Sequence, residues 1–241
     1  MSLNKYMRES GIKSILTNKN NLLVVLLLVT TIGQVMGQKK QPFMGVLEYK
    51  ITVRDTAMSS LIPDNRMIIY TNDTITRSEN FTQQLGMQAT IRHIEKNKSY
   101  LLLNTGFGKF AIQTDLSAQK GDTTRVSKYT FKKKCFKKKI LGYRANRVLA
   151  NHPNFEEPIE FLYLKNIDVK YNNTFEHLPG LPVRYSVYTT DATFDYELVR
   201  INEYKPNRDL FGVPSDYERV SFDDFLDRML ESQGGSKEIP E

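Results

Sequence analysis

Ten segments of this chain are candidates for extended structure, and the period of two that runs through them restricts the fold more than any other feature. Leu47, Tyr49, Ile51 and Val53 alternate with Glu48, Lys50 and Thr52, the pattern of a strand with one buried face. Strands are also expected over Arg66 to Thr76, Gln88 to Ile94, Ser99 to Leu103, Lys109 to Gln113, Lys128 to Tyr143, Arg147 to Ala150, Ile159 to Leu164, Val183 to Tyr188 and Phe194 to Asn202. Turn residues separate them: Glu95-Lys96-Asn97-Lys98 between one pair and Asn104-Thr105-Gly106-Phe107-Gly108 between the next. Hydrophobic residues are 40% and charged residues 25% of the chain, enough apolar material for a core, so disorder is excluded as the main state. The expected fold is mainly β: a curved, half-barrel-like antiparallel sheet with a helix packed on it.

That helix is marked near the C-terminus. Ser221 and Asp224 have the spacing of a capping box, and Phe222, Phe225, Leu226, Met229 and Leu230 follow at helical spacing until Gly234-Gly235. The stripe is expected to pack on the sheet; a partner-docking helix is the competing reading.

Leu22 to Ile32 is a mostly apolar run of 11 residues preceded by Lys5, Arg8, Lys13 and Lys19. A membrane-spanning helix needs roughly 20 apolar residues, so the run suits an export signal, with Val35-Met36-Gly37 as the cleavage site and Gln38 as the new N-terminus. An uncleaved anchor is the alternative. The expected organisation is a signal peptide over 1–37 and a single β-rich domain over 38–241 in the periplasm.

Residues 1–37 hold four basic and one acidic residue, so 30 basic and 26 acidic residues remain beyond them, a net charge of +4. The charge is unevenly placed. Between Thr123 and Ala150 there are ten Lys or Arg and no acid. In a regular strand Lys132, Lys134 and Lys138 share one phase and Lys133, Lys137 and Lys139 the other, so about half of the charge points to each face. Unpaired ammonium groups are not readily buried, and the segment is therefore expected to project as an edge or protruding hairpin. Its apolar positions slip in phase around Cys135, which predicts a bulge there. A charged edge resists aggregation by itself. It also offers a docking strip, with Lys132, Lys134, Lys137 and Lys138 as the contact residues for an acidic protein or an anionic surface. Export argues against nucleic acid as the partner.

Chemistry is harder to find. A single cysteine, Cys135, excludes a disulfide scaffold, and it is read as a core-facing or edge thiol without a catalytic task. His152 lies near Glu156, Glu157 and Glu160, acid-base and metal-ligand types, but Pro153 and Pro158 make the segment a loop entering a strand. Phosphate-binding loops, nucleophile elbows and zinc-protease motifs do not occur, so neither an enzyme, a metal nor a cofactor is expected.

Two further segments carry a family resemblance. Lys137 to Arg147 (Lys-Lys-Lys-Ile-Leu-Gly-Tyr-Arg-Ala-Asn-Arg) is similar to the strand-turn-strand of the GLPGLI family of exported Bacteroidetes proteins, and His177-Leu178-Pro179-Gly180-Leu181-Pro182 resembles its name motif. Asp209 to Tyr217 resembles the family's Phe-x-x-Pro-x-x-Tyr ending. Ala145 stands where many members have Cys, His177 replaces the first Gly and Pro182 the final Ile. The resemblance implies architecture and compartment rather than an activity, with the glycines and prolines as markers of fold. By analogy such sheets look like the half-barrels of the LolA and LolB lipoprotein carriers.

These observations give a non-enzymatic envelope binding protein, holding an apolar or lipid moiety against inward residues Tyr49, Ile51, Tyr185 and Val187, or binding an envelope protein. The alternative is a structural or docking subunit of an envelope complex that uses the basic strand. A carrier needs an open apolar cavity; a subunit needs an exposed patch.

Overall fold

The period-two segments become strands in the computed structural model, which describes residues 40, 42–54, 65–82, 86–96, 98–115, 128–172, 174–175, 177–189 and 192–234. The expected leader falls outside them. The described residues lie in one compact unit. Among the described residues, no helix is long and apolar enough to cross a membrane.

The first six strands form an antiparallel meander: β1 (Met44–Val53), β2 (Asn65–Asn72), β3 (Ile75–Thr82), β4 (Gly86–His93), β5 (Lys98–Thr105) and β6 (Gly108–Asp115). A second meander contains β7 (Thr130–Ile140), β8 (Tyr143–Asn151), β9 (Ile159–Leu164), β10 (Leu181–Tyr188) and β11 (Thr193–Glu203). The two join where β11 lies antiparallel to β1. Gly45 makes that contact close: a β-carbon there would lie 2.1 Å from the Asn202 carbonyl oxygen. A short strand, β12 (Glu218–Val220), pairs in parallel with β6. The open sheet therefore runs β12-β6-β5-β4-β3-β2-β1-β11-β10-β9-β8-β7. Helix α1 (Phe222–Gly234) follows and packs on β6.

Most expected strands match, and the differences have local causes. The segment expected as one strand over Arg66 to Thr76 is broken at Asp73, whose φ of 77° turns the chain from β2 into β3. The Asn72 carboxamide oxygen holds that turn by accepting from the backbone N–H groups of Thr74 (3.2 Å) and Ile75 (2.8 Å). The segment expected over Lys128 to Tyr143 ends earlier, at a two-residue hairpin. Leu141 (φ 49°) and Gly142 (φ 85°) both adopt the left-handed region that such a turn requires.

At its N-terminus α1 carries the expected capping box. Asp224 N–H donates to Ser221 Oγ (3.0 Å), and Ser221 N–H donates to the Asp224 carboxylate (3.3 Å). The expected packing is only half realised. Phe225 is buried and Met229 packs beside it, whereas Phe222, Leu226 and Leu230 face solvent.

The main core lies on the face that carries Leu47, Tyr49, Ile69, Val183, Tyr185 and Leu198. The connection 165–180 between β9 and β10 folds over it and buries Ile167, Tyr171, Phe175 and Leu178 in the same cluster. Burial of each large apolar side chain contributes about 1.5–3 kcal/mol, and the tyrosine hydroxyls find partners as they are buried. Tyr49 donates to the Pro182 carbonyl (2.8 Å), and Asn172 donates to the Tyr185 hydroxyl (3.0 Å). Elsewhere the segment 205–217 crosses β3–β6, where Val213 and Tyr217 pack against Ala89, Ile91, Leu102 and Ala111.

Candidate functional site

Two surfaces were marked by sequence, and the fold places them very differently. Tyr49, Ile51, Tyr185 and Val187 do point toward the aromatic core. Tyr49 is 0% and Tyr185 1% exposed; Ile51 and Val187 are partly buried. The space in front of Tyr185 is occupied by the chain itself. Phe175 meets Tyr185 edge-on at 5.5 Å between ring centroids, Tyr49 does so at 5.9 Å, and Tyr196 stacks on Tyr185 at 4.7 Å. A ligand at Tyr185 would have to displace Phe175 of the 165–180 segment. Burial raises the ionisation of both Tyr49 and Tyr185 far above the ordinary phenol range, so both are neutral hydrogen-bonding groups.

The covering segment is tied to its surroundings by a polar cluster that sequence reasoning did not reveal. Asp73, at the tip of the β2–β3 turn, accepts from Lys170 Nζ (2.7 Å) and from the Tyr171 hydroxyl. That hydroxyl accepts from the backbone N–H of Phe43 (2.8 Å). Partial burial opposes ionisation of Asp73, but the bonds from Lys170 and Tyr171 outweigh it and hold the carboxyl below its usual range. Asp73 and Lys170 are 97 positions apart in sequence, with no local motif to connect them.

The basic segment is the edge strand β7, the last strand of the sheet. Lys132, Lys133, Lys134, Lys137, Lys138 and Lys139 are all exposed. The bulge expected near Cys135 is present: pairing with β8 shifts between Lys134 and Lys137. Because Cys135 and Phe136 are both extra, the alternation resumes in phase. Lys132, Lys134 and Lys138 lie opposite Leu149, Arg147 and Ala145, while Lys133, Lys137 and Lys139 lie opposite Val148, Asn146 and Arg144. Each face of the strand therefore carries three ammonium groups. Cys135 itself is exposed on this edge.

The opposite face of the central strands is a ladder of ion pairs. Buried Glu48 accepts from Arg66 (2.8 Å) and Arg200 (2.9 Å), Arg184 meets Glu197 (3.0 Å), and Arg54 meets Asp195 (2.6 Å). A depression of about 360 Å³ opens here, lined by Lys50, Arg54, Arg184, Asp195 and Glu197 and, of the expected ligand residues, by Tyr185. Its charges are opposite in sign across neighbouring strands, which suits sheet pairing.

The acidic cluster noted in the sequence does not converge. His152 is buried against Tyr129 (4.6 Å between centroids) and Phe155 (5.3 Å), with its Nδ1 accepting from Asn154 N–H (3.2 Å). Glu160 is paired with Arg147 (2.6 Å). Among the described residues, no group of three or more His, Cys, Asp or Glu is placed to hold a metal ion.

The motif residues pack. A β-carbon at Gly180 would lie 2.1 Å from the Leu164 carbonyl oxygen, while Leu178 and Leu181 are core residues. Ala145 is fully buried, and Phe211 of the closing motif is buried as well.

No protein-family model and no curated protein matches the sequence. Among solved structures, the chain is similar to PNGF-II in two crystal forms, with TM-scores of 0.47 and 0.45 at 14% identity. Those alignments cover 79% of this chain and 33% and 34% of PNGF-II. It is also similar to MucB, whose structure is a complex with MucA(peri), with a TM-score of 0.40 at 10% identity, covering 74% of this chain and 57% of MucB. The chain thus spans about a third of the length of PNGF-II.

Proposed function

We propose that this protein is an exported, non-enzymatic docking subunit of the cell envelope that binds an acidic protein along strand β7. The observation that carries this reading is an edge strand with six exposed lysines distributed over both of its faces. A single exposed ion pair contributes only about 0.2–1 kcal/mol; several formed together along one strand give a usable, salt-sensitive affinity. An edge strand can also accept an added strand through its backbone, with the side chains supplying selectivity. The filled aromatic face favours this reading over a lipid carrier. Export to the periplasm rests on the leader and on the GLPGLI-like motifs.

The test compares wild type with a variant carrying Lys132→Ser, Lys134→Ser, Lys137→Ser and Lys138→Ser. Both are used to capture partners from envelope extract, and both are mixed with anionic and zwitterionic vesicles. The expected result is an envelope protein retained by wild type alone and released by moderate salt. Equal capture by both proteins contradicts the proposal, as does salt-insensitive capture. Binding confined to anionic vesicles replaces the protein partner with a membrane surface. Uptake of a fluorescent fatty acid by wild type would instead support an apolar ligand at Tyr49, Ile51, Tyr185 and Val187.

A further inference from the structure

Helix α1 turns an apolar stripe to solvent that the sheet does not use. Phe222, Leu226 and Leu230, about one helical turn apart, are 55%, 40% and 67% exposed. The inward side is fixed by Phe225, whose ring meets Phe110 edge-on at 5.5 Å and stacks on Phe107 at 6.3 Å. At 100° per residue, the row adjoining the exposed stripe is Asp223, Asp227 and Glu231, all exposed. The one base on the helix, Arg228, is engaged by Glu218 at 2.5 and 2.7 Å. The surface is thus an apolar ridge bordered by carboxylates. An anionic membrane is a poor match, because helices that lie on such membranes carry Lys and Arg on their polar side.

A complementary surface exists on the same chain. The tip of the β7–β8 hairpin presents Leu141, 45% exposed, beside exposed Lys138, Lys139 and Arg144. In the strand order this hairpin ends one side of the sheet, while α1 packs on β6 near the other. We infer that α1 of one molecule receives the β7–β8 hairpin of a second copy, with Leu141 on the Phe222–Leu226–Leu230 stripe and the basic groups against Asp223, Asp227 and Glu231. The contact uses two different patches, so it is head-to-tail and each added copy leaves a free patch at both ends. This inference rests on the docking reading of β7 and names a second copy as its acidic partner.

Charge reversal tests it, using the full exported chain and sedimentation at low and moderate salt. One variant carries Asp227→Lys and Glu231→Lys; these leave the Ser221–Asp224 cap intact, and the base at 231 lies in the last turn, where it suits the helix dipole. The other carries Lys138→Glu, Lys139→Glu and Arg144→Glu. All five positions are exposed, and circular dichroism checks that both variants fold. The wild-type mass should rise with concentration and fall back to monomer as salt is added. Each variant alone should associate at least roughly ten-fold more weakly, since like charges then face each other. An equal mixture should regain association, because the intact hairpin of the first variant meets the intact helix of the second and the two reversed patches again face each other with opposite charge. A monomeric wild type, variants that associate like wild type, or a mixture that stays monomeric overturns the inference. Titration of both variants with a fluorescent glutamate-rich peptide separates this inference from the docking reading. If wild type and the helix variant bind the peptide but wild type remains monomeric, self-association is wrong and β7 docking stands; if neither protein binds it, both fail.

Discussion

A β-carbon at position 180 would meet a backbone carbonyl oxygen at 2.1 Å, so either the 165–180 segment or strand β9 would have to move to admit it. Gly180→Ala is therefore expected to cost about 1–3 kcal/mol, the range of other overpacked sites. A chemical denaturation midpoint unchanged from wild type would contradict this. Gly142, with open space around its missing side chain, should cost less when changed, because only its φ of 85° is at issue. Asp73 controls a different property. Its carboxyl is held below the usual range, so its contribution to stability is present above the ordinary carboxylate pKa and is lost as pH falls through the lowered folded value. Asp73 and Lys170 are 28% and 34% exposed, which limits the pair to about 1 kcal/mol. Asp73→Asn keeps a residue that tolerates a positive φ but removes the charge. Urea unfolding should show the variant less stable than wild type at neutral pH, with the gap closing in acid; a gap that stays constant would rule out the ion pair as its cause. Sequence marked Gly180 as structural but gave no sign of Asp73, whose partners come from a distant loop.

Among the elements, legibility followed hydrophobic contrast. Strand β9 has the expected bounds because five of its six residues are apolar or aromatic and Pro158 and Lys165 flank it. Strand β3 was missed as a separate strand because Arg77, Ser78, Glu79 and Asn80 give no apolar alternation; Arg77 and Glu79 satisfy each other at 2.7 Å on one face. Strand β12 is three residues long and pairs in parallel, which leaves no sequence pattern. In α1 the periodicity revealed the helix but not the extent of its burial: five apolar positions fit one stripe, and the sheet end accommodates Phe225 and Met229 only. For β7 the charge pattern itself required an edge; the bulge lies at Cys135 as expected, but its two extra residues keep the phase, so the slip in apolar positions leaves Phe131 and Ile140 on opposite faces. Because those lysines project from an edge, Lys132→Ser, Lys134→Ser, Lys137→Ser and Lys138→Ser together should change stability by no more than about 1 kcal/mol, a few tenths for each surface site. Thermal denaturation checks this; a much larger loss would mean that the strand is structural rather than available for docking.

At the scale of the whole molecule, two meanders joined at β1 and β11 form a single open sheet, and one connection fills its aromatic face. Periodicity showed which residues point inward but not what lies against them, since Tyr171, Phe175 and Leu178 belong to a loop without a regular pattern. If the 165–180 segment is core, Phe175→Ala should cost about 3–5 kcal/mol in chemical denaturation; a removable lid would lose far less. On the docking proposal, the working surface lies at the sheet's edge. The most direct measurement is titration of a fluorescent glutamate-rich peptide, by anisotropy, with wild type and with the variant in which Lys132, Lys134, Lys137 and Lys138 are serine. Wild-type affinity should fall steeply as salt rises and screens the charges, and the variant should bind at least roughly ten-fold more weakly at low salt. Equal affinities, or a wild-type affinity indifferent to salt, would contradict docking through β7 and leave the lysines as a solubilising edge.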